Sequence, residues 1–141
     1  MKRTPGARRT LLRMQSLFVN AADHANLSLL APAEPLRSKL QRGRVVASDA
    51  VPPDVVTMQS RVTVGDEDTG ERMLVSLVYP AEADLAHGRI SVLAPLGMEL
   101  FAARRGDIVS VTHDGSRRRL RIMQIVYQPE QSMRAHMVAR D

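Results

Sequence analysis

The sequence predicts an α+β protein, with a short N-terminal two-helix antiparallel hairpin followed by an antiparallel β-sheet domain with one short helix. In the first third of the chain, apolar residues recur at helical spacing between polar ones. From Val56 onward they alternate with polar residues, which is the period of a half-buried strand. The period changes beside Pro52-Pro53, so we place a domain boundary there.

The hairpin is predicted over residues 10–46. Thr10 is expected to cap a first helix over about 11–22, and a loop from Asn20 to Ser28 follows it. Pro35 suits the start of a second helix that ends at Gly43. Each helix is too short to be stable alone, so both must pack against each other or against the sheet domain.

The sheet domain is predicted over residues 55–128, between a linker at 47–54 and a polar tail at 129–141. Five segments of it have the pattern of strands, and the one that begins with Pro95 has the pattern of a helix. The predicted strands cover 56–64, 72–79, 89–93, 108–112 and 117–127, and the helix covers 95–103.

Composition excludes several classes of function. The chain has 141 residues, of which 44% are apolar, as expected for one domain with a small appendage. It has no Cys, which excludes a disulfide, a thiolate metal site and a cysteine nucleophile. No apolar run is long enough to span a membrane, and polar residues interrupt the segment from Leu11 to Ala22 that would have to be the core of a signal peptide. We expect a cytoplasmic protein without membrane contact.

Charge is distributed unevenly along the chain. Residues 1–47 hold nine Lys or Arg and two acids, a net charge of +7, whereas residues 48–141 hold eleven Arg and thirteen acids, a net charge of −2. A basic N-terminal part suits an acidic partner, either nucleic acid or an acidic protein surface. Its first residues, 1–9, contain Pro5-Gly6 and are predicted to form a disordered basic tail.

Several motifs in the C-terminal two thirds resemble a known family. They are Pro53-Asp54-Val55-Val56-Thr57-Met58-Gln59-Ser60, Leu77-Val78-Tyr79-Pro80, Ile90-Ser91-Val92-Leu93-Ala94-Pro95-Leu96-Gly97 and Tyr127-Gln128-Pro129-Glu130. Their order resembles the C-terminal domain of the Gre transcript-cleavage factors of the GreA/GreB family. It resembles still more closely the Rnk-like members of that family, which are named as regulators of nucleoside diphosphate kinase. The resemblance covers about residues 45–130.

The resemblance implies an FKBP-like fold that serves as a docking module on RNA polymerase, at the rim of the secondary channel, with no prolyl isomerase activity. Gre factors carry an acidic residue, Ser and Pro in the turn before the short helix. The matching positions here hold different side chains at two of three places. The predicted docking residues are Leu93, Ala94, Pro95, Leu96, Arg104 and Arg105.

The chain departs from the Gre pattern in its N-terminal hairpin. In Gre factors a long hairpin carries acidic residues at its tip, which help to bind Mg²⁺, a hard cation that needs oxygen ligands. Here the hairpin is about half as long, and the only candidates for a tip are Asp23 and His24, which we interpret as a solvated pair or a helix cap rather than a metal site. We therefore expect no cofactor, no metal and no transcript cleavage, and a protein that modulates elongation or competes with Gre factors.

Two alternatives stay open at this stage. The run Arg117, Arg118, Arg119 with Arg121 suits either a charged, protected strand or a contact with DNA or RNA, although no aromatic platform accompanies it. Together with the basic N-terminal part it defines an alternative function, a small basic nucleic-acid-binding module. A third interpretation is a divergent FKBP-like domain that retains isomerase activity or ligand binding, but the chain has only four aromatic residues to line a pocket.

Overall fold

The computed structural model describes residues 17–139, with the side chains of His113 and of residues 135–139 excepted. The predicted tail at 1–9, the Thr10 cap and the first turns of the predicted first helix lie outside this range. The elements are β1 (Phe18–Asn20), α1 (Ala21–Ser28), α2 (Leu36–Arg42), β2 (Arg44–Val46), β3 (Arg61–Asp66), β4 (Arg72–Val78), β5 (Arg89–Ser91), α3 (Pro95–Leu100), β6 (Ile108–His113), β7 (Ser116–Tyr127) and α4 (Pro129–Ala139).

A five-stranded sheet in the order β5-β4-β3-β7-β6 forms the larger part of the molecule. Alternation in its strands sorts the side chains onto two faces, as the sequence predicts. The inner face holds buried apolar side chains from four of the strands, Val62, Val64, Val75, Leu77, Ile90, Leu120 and Ile122. The sheet therefore has one face in the core and one toward solvent.

The prediction of a wholly antiparallel sheet is wrong at one pair of strands. β4 and β5 are parallel, with Ser76 opposite Arg89 and Val78 opposite Ser91. The connection between them explains this, because two short 3-10 turns, Pro80–Glu82 and Leu85–His87, carry the chain back before β5 begins. A tight hairpin would have made the pair antiparallel.

The N-terminal unit has two helices, as predicted, but it also has two strands that the sequence did not predict. β1 and β2 pair in parallel, so the two helices belong to a strand–helix–helix–strand unit. The helix predicted to run to residue 22 begins only at Ala21, because the Asn20 side-chain oxygen accepts a hydrogen bond from the Ala22 N–H at 2.8 Å and caps it. Residues 21–28, which were expected to form a loop, are thus helical. α2 lies where the sequence placed the second helix.

The segments predicted as a linker and a polar tail have ordered conformations. Within 47–54, Ser48–Ala50 forms a 3-10 turn and Val51 is fully buried. After residue 128 the chain forms α4, and Glu130 in its first turn is buried. Sequence patterns could not predict the burial of Glu130, because it depends on hydrogen bonds to residues far away in the chain. The division into an independent hairpin and sheet domain remains a prediction.

Both parts of the chain contribute to one cluster of buried apolar residues. Leu27, Leu36 and Leu40 of the N-terminal helices lie in the same cluster as Val62 and Leu100 of the sheet and its helix. The N-terminal unit is therefore packed onto the C-terminal part, as the short length of its helices requires. Among residues 17–139, no helix has both the length and the apolar character needed to cross a membrane.

Candidate functional site

The turn between β5 and α3 is tightly constrained. The Ser91 side chain accepts a hydrogen bond from the Leu93 N–H at 3.1 Å, and the Ser91 carbonyl accepts one from the Ala94 N–H at 3.0 Å. A Cβ added at Gly97 would lie 1.9 Å from the Ser91 carbonyl oxygen, so only glycine allows the helix to pack this closely on the turn. Pro95 occupies the first turn of the helix, where it needs no N–H partner.

The predicted docking side chains differ in how far they reach solvent. Leu93 and Pro95 are exposed, Leu93 at 37%. Ala94 and Leu96 are half-buried and pack against the core. The turn thus presents a small surface, partly apolar, at the N-terminal end of α3.

The other end of α3 is held by a lysine from the N-terminal unit. Lys39 Nζ donates hydrogen bonds to the carbonyl oxygens of Met98 at 3.0 Å, Glu99 at 2.8 Å and Phe101 at 2.6 Å. These are carbonyls that the last turn of a helix leaves without partners, and a cation also complements the helix dipole there. The N-terminal unit therefore fixes the helix that follows the predicted docking turn.

The two arginines after α3 have different surroundings. Arg104 forms a bidentate pair with Asp54, at 3.1 and 3.0 Å, and its guanidinium lies 5.7 Å from the centre of the Phe18 ring. Arg104 thus ties the predicted linker to β1. The Arg105 side chain is exposed, while its N–H donates to the Asp54 carbonyl at 2.9 Å. Of the pair, Arg105 is the one whose side chain faces solvent.

Asp23 and His24 do not form the tip of a hairpin. Both lie in the first half of α1, where Asp23 accepts a hydrogen bond from the Met58 N–H at 3.3 Å and His24 Nε2 lies 3.0 Å from the Leu40 carbonyl oxygen. Burial raises the pKa of Asp23 to about 6, and the nearby Glu130 carboxylate acts in the same direction. Asp23 thus joins the N-terminal unit to the segment before β3, and His24 joins α1 to α2.

The segment that connects α1 and α2 is apolar at its start. Leu29 is 85% exposed, Leu30 is at the margin of exposure, and Glu34 is the one acid between the helices. Glu34 is engaged locally, since it accepts hydrogen bonds from Arg37 and Ser38. Within the described residues, no group of three His, Cys, Asp or Glu side chains is placed to hold a metal ion.

A buried polar network joins the two motifs that flank the sheet domain, and sequence reasoning did not anticipate it. Glu130 accepts hydrogen bonds from Thr57 Oγ1 at 2.8 Å and from Asn20 Nδ2 at 2.9 Å. Gln128 Nε2 donates to the carbonyl oxygens of Pro52 and Val55, both at 2.8 Å. The motifs that contain Thr57 and Gln128-Pro129-Glu130 were the only sign of this network in the sequence. Their structural role here is to form it.

The arginine run on β7 is largely paired with the acidic turn after β3. Arg119 binds Asp68 at 3.3 Å, Arg118 lies 3.8 Å from Asp66, and Arg121 pairs with Glu67. Backbone N–H groups of Thr69 and Asp68 lower the pKa of Asp66, so this carboxylate stays ionised. Arg117 is exposed. The pairing favours a solvated, charge-balanced end of the sheet over a nucleic-acid contact by this run alone.

Comparison with known proteins gives consistent matches over the sheet domain. Residues 51–127 match the family model described as "Transcription elongation factor, GreA/GreB, C-term". The "Regulator of nucleoside diphosphate kinase" of Escherichia coli K12 is 35% identical over 99 residues, which are 70% of this chain and 73% of that protein. The "Transcription elongation factor GreA" of Beijerinckia indica is 30% identical over 66% of this chain, but the match spans only 59% of that longer protein.

A solved structure agrees with these matches. The "Prokaryotic transcription elongation factor GreA/GreB from Nitrosomonas europaea" superposes with a TM-score of 0.69 at 32% identity, over 79% of this chain and 98% of that one. The match therefore extends beyond the sheet domain into the N-terminal unit.

Proposed function

Because this chain belongs to the GreA/GreB transcription elongation factor family, we propose that it is a transcription regulator that binds RNA polymerase near the secondary channel. The proposal assigns docking to the turn before α3. The observation that best supports this assignment is the placement of Leu93 and Pro95. Both are exposed at the N-terminal end of a short helix, and Lys39 holds the other end of that helix by hydrogen bonds. A rigid, partly apolar projection of this kind costs little ordering entropy when a partner covers it.

The proposed docking surface consists of Leu93, Ala94, Pro95, Leu96 and Arg105. Arg104, a predicted docking residue, is left out of this surface. It pairs with Asp54 and stacks on Phe18, so we propose that it positions the surface. Arg105 follows directly and supplies the exposed cation. Leu93 is a bare aliphatic side chain where Gre factors carry an acid, so the proposed contact lacks one polar interaction that theirs has.

The proposed regulator modulates elongation or competes with Gre factors and does not promote transcript cleavage. Cleavage by the Gre route needs carboxylates at a projecting tip. The connection between α1 and α2 begins with Leu29 and Leu30 and has only Glu34 as an acid, while Asp23 is directed into the structure. The chain is accordingly proposed to be a cytoplasmic binding protein and not an enzyme.

The FKBP-like description of the sheet domain is part of this proposal. A curled five-stranded sheet with one short helix against its inner face supports it. We expect no prolyl isomerase activity, because Phe101 is buried in the core and Tyr127 is on the far face of the sheet from it. An aromatic pocket for a prolyl peptide is therefore not assembled from these residues.

Two leucine variants test the docking assignment. Leu93→Lys places a charge on the proposed surface, and Leu85→Lys places the same charge on the exposed 3-10 turn after β4, away from it. Binding of labelled protein to core RNA polymerase should weaken about tenfold for Leu93→Lys, corresponding to about 1.4 kcal/mol, and stay unchanged for Leu85→Lys. Equal binding by both variants would show that the turn is not part of the docking surface.

A further inference from the structure

The outer face of the five-stranded sheet is rich in arginine. The register places side chains of the same orientation opposite each other: Arg61 of β3 and Arg89 of β5 both pair with Ser76 of β4. In the same way, Arg72 of β4 and Arg121 of β7 both pair with Gly65 of β3. The two arginines that flank Ser76 are therefore two strand spacings apart, about 10 Å, and so are the two that flank Gly65.

Two further arginines extend this face toward β6. Arg119 pairs with Ser110 and Arg117 with Thr112, and both arginines are exposed. We call this set the arginine face: Arg61, Arg72, Arg89, Arg117, Arg119 and Arg121. Ser76 and Gly65 lie between the arginines of the two rows, and other outward positions hold Thr63, Leu74, Gln124 and Tyr127. Within the described strands, no outward position on this face holds a carboxylate.

Only part of the arginine face is neutralised by neighbouring acids. Arg119 and Arg121 pair with Asp68 and Glu67 of the turn after β3. Arg61, Arg72 and Arg89 form no ion pair with the carboxylates of residues 17–139 and are exposed. The net charge of −2 over residues 48–141 therefore conceals a separation of charge, with acids in turns and unneutralised cations spread over three strands.

Apolar and aromatic groups lie among these cations. Tyr127, which is 46% exposed, is opposite Arg61, and Leu74, which is 53% exposed, is opposite Thr63. An exposed aromatic ring beside phosphate-binding cations is the arrangement that lets a base stack while its backbone is neutralised. The wide face of a five-stranded sheet cannot enter a major groove, which admits a helix or a two-stranded ribbon.

From this placement we infer that the arginine face binds single-stranded nucleic acid, with its arginines on the phosphates and Tyr127 stacked on a base. The inference does not depend on polymerase docking, because the docking turn lies at the head of α3 on the core side of the sheet. This proposed contact differs from one made by the arginine run at 117–121. The arginines without acidic partners lie mainly on β3, β4 and β5.

The test is binding of short labelled single-stranded DNA and RNA to the full-length protein over a salt series, without polymerase. The variant is Arg61→Gln with Arg89→Gln. The matched control is Arg37→Gln with Arg42→Gln, which removes the same charge from exposed positions of α2. Because all four side chains are exposed, thermal melting should show every variant folded.

The arginine-face variant should bind single strands about tenfold more weakly at low salt, and the slope of log affinity against log salt should fall by about 1.4, or 0.7 for each lost contact. The control should change affinity by less than about twofold. Tyr127→Leu should weaken binding about tenfold, whereas Tyr127→Phe, which keeps the ring, should not.

Four outcomes would overturn the inference. They are absence of binding at low salt, an equal loss in the variant and the α2 control, duplex bound as tightly as single strands, and competition by polyglutamate as effective as that by oligonucleotide. The last outcome would identify the face as a site for an acidic protein segment.

Discussion

Lys39 of the N-terminal unit places its ammonium group 2.6 Å from the carbonyl oxygen of Phe101, the residue that directly follows α3. The same group also reaches two carbonyls in the last turn of the helix. A side chain from one part of the chain thus completes the C-terminal end of a helix in the other. The relationship makes the N-terminal unit a support for the proposed docking turn.

Replacing Lys39 should therefore weaken both folding and docking. Lys39→Met keeps most of the aliphatic stem but leaves three carbonyls without their charged donor, and we expect a loss of about 1–3 kcal/mol in the free energy of unfolding. Urea denaturation measures it. Arg37→Met, on the same helix, loses only an exposed pair with Glu34 and should leave the free energy of unfolding nearly unchanged. Equal stabilities of the two variants would remove Lys39 from this role.

The buried carboxylate of Glu130 should be a strong determinant of stability. Glu130→Ala removes the buried acceptor that Asn20 and Thr57 share, and the expected loss is about 2–3 kcal/mol. Glu82→Ala serves as a control, because Glu82 is exposed and accepts one hydrogen bond, from Gln59. Chemical denaturation of both variants should show a clear loss only for Glu130→Ala, and a loss as small as that of the control would mean that the network contributes little.

Asp23 should make stability depend on pH. Its pKa is about 6 in the folded protein, above the ordinary value of 3.8, mainly because of burial. A raised pKa means that the folded state holds the proton more tightly, so the Asp23 contribution favours folding at low pH and is lost as pH rises from about 4 to 6. Above pH 6 the folded protein carries a half-buried negative charge on Asp23.

Asp23→Asn should therefore stabilise the protein at neutral pH. The amide oxygen can still accept the Met58 N–H, and the gain should be about 1 kcal/mol or more at pH 7. Unfolding curves at pH 4 and pH 7 test this prediction: the advantage of the variant should be absent at pH 4 and present at pH 7. An advantage of equal size at both pH values would show that burial of the charge is not the cause.

The docking turn should respond to restoration of the Gre pattern. Leu93→Asp with Ala94→Ser recreates the acidic residue and Ser before Pro95, at positions that are exposed or half-buried. Polymerase binding should become about tenfold tighter, a gain of about 1.4 kcal/mol. The control is Leu85→Asp, which adds the same charge elsewhere on the surface. Weaker binding by the double variant would mean that this chain contacts polymerase through an apolar surface that the acid disrupts.

Local patterns were sufficient to predict the elements of the sheet domain. Turn residues bounded β4, β6 and β7 and Pro95 marked the start of α3, because these signals depend on near neighbours in the chain. Alternation from Val56 predicted β3, but the strand begins only at Arg61. The parallel pairing of β4 with β5 was not predictable in this way. It depends on the path of the chain through two 3-10 turns, which residue spacing does not encode.

The N-terminal unit shows why pattern reasoning failed elsewhere. Phe18 and Val19 were predicted to lie in a helix over about 11–22, but they belong to β1, in which Val19 is buried opposite Val45, and Asn20 caps the helix that follows. The candidate site was predictable only as a stretch of sequence. The roles of Arg104 and Asp23 were not, because Asp54 and Met58 become their partners only through long-range packing.

We propose that this chain occupies the Gre position on RNA polymerase. Displacement of a labelled Gre factor from core RNA polymerase by the purified protein tests this, with Leu93→Lys and Leu85→Lys run in parallel. We expect displacement by the wild-type protein and Leu85→Lys, and about tenfold weaker displacement by Leu93→Lys. Binding of the wild-type protein to polymerase that leaves the Gre factor in place would contradict it, as would failure to bind polymerase at all.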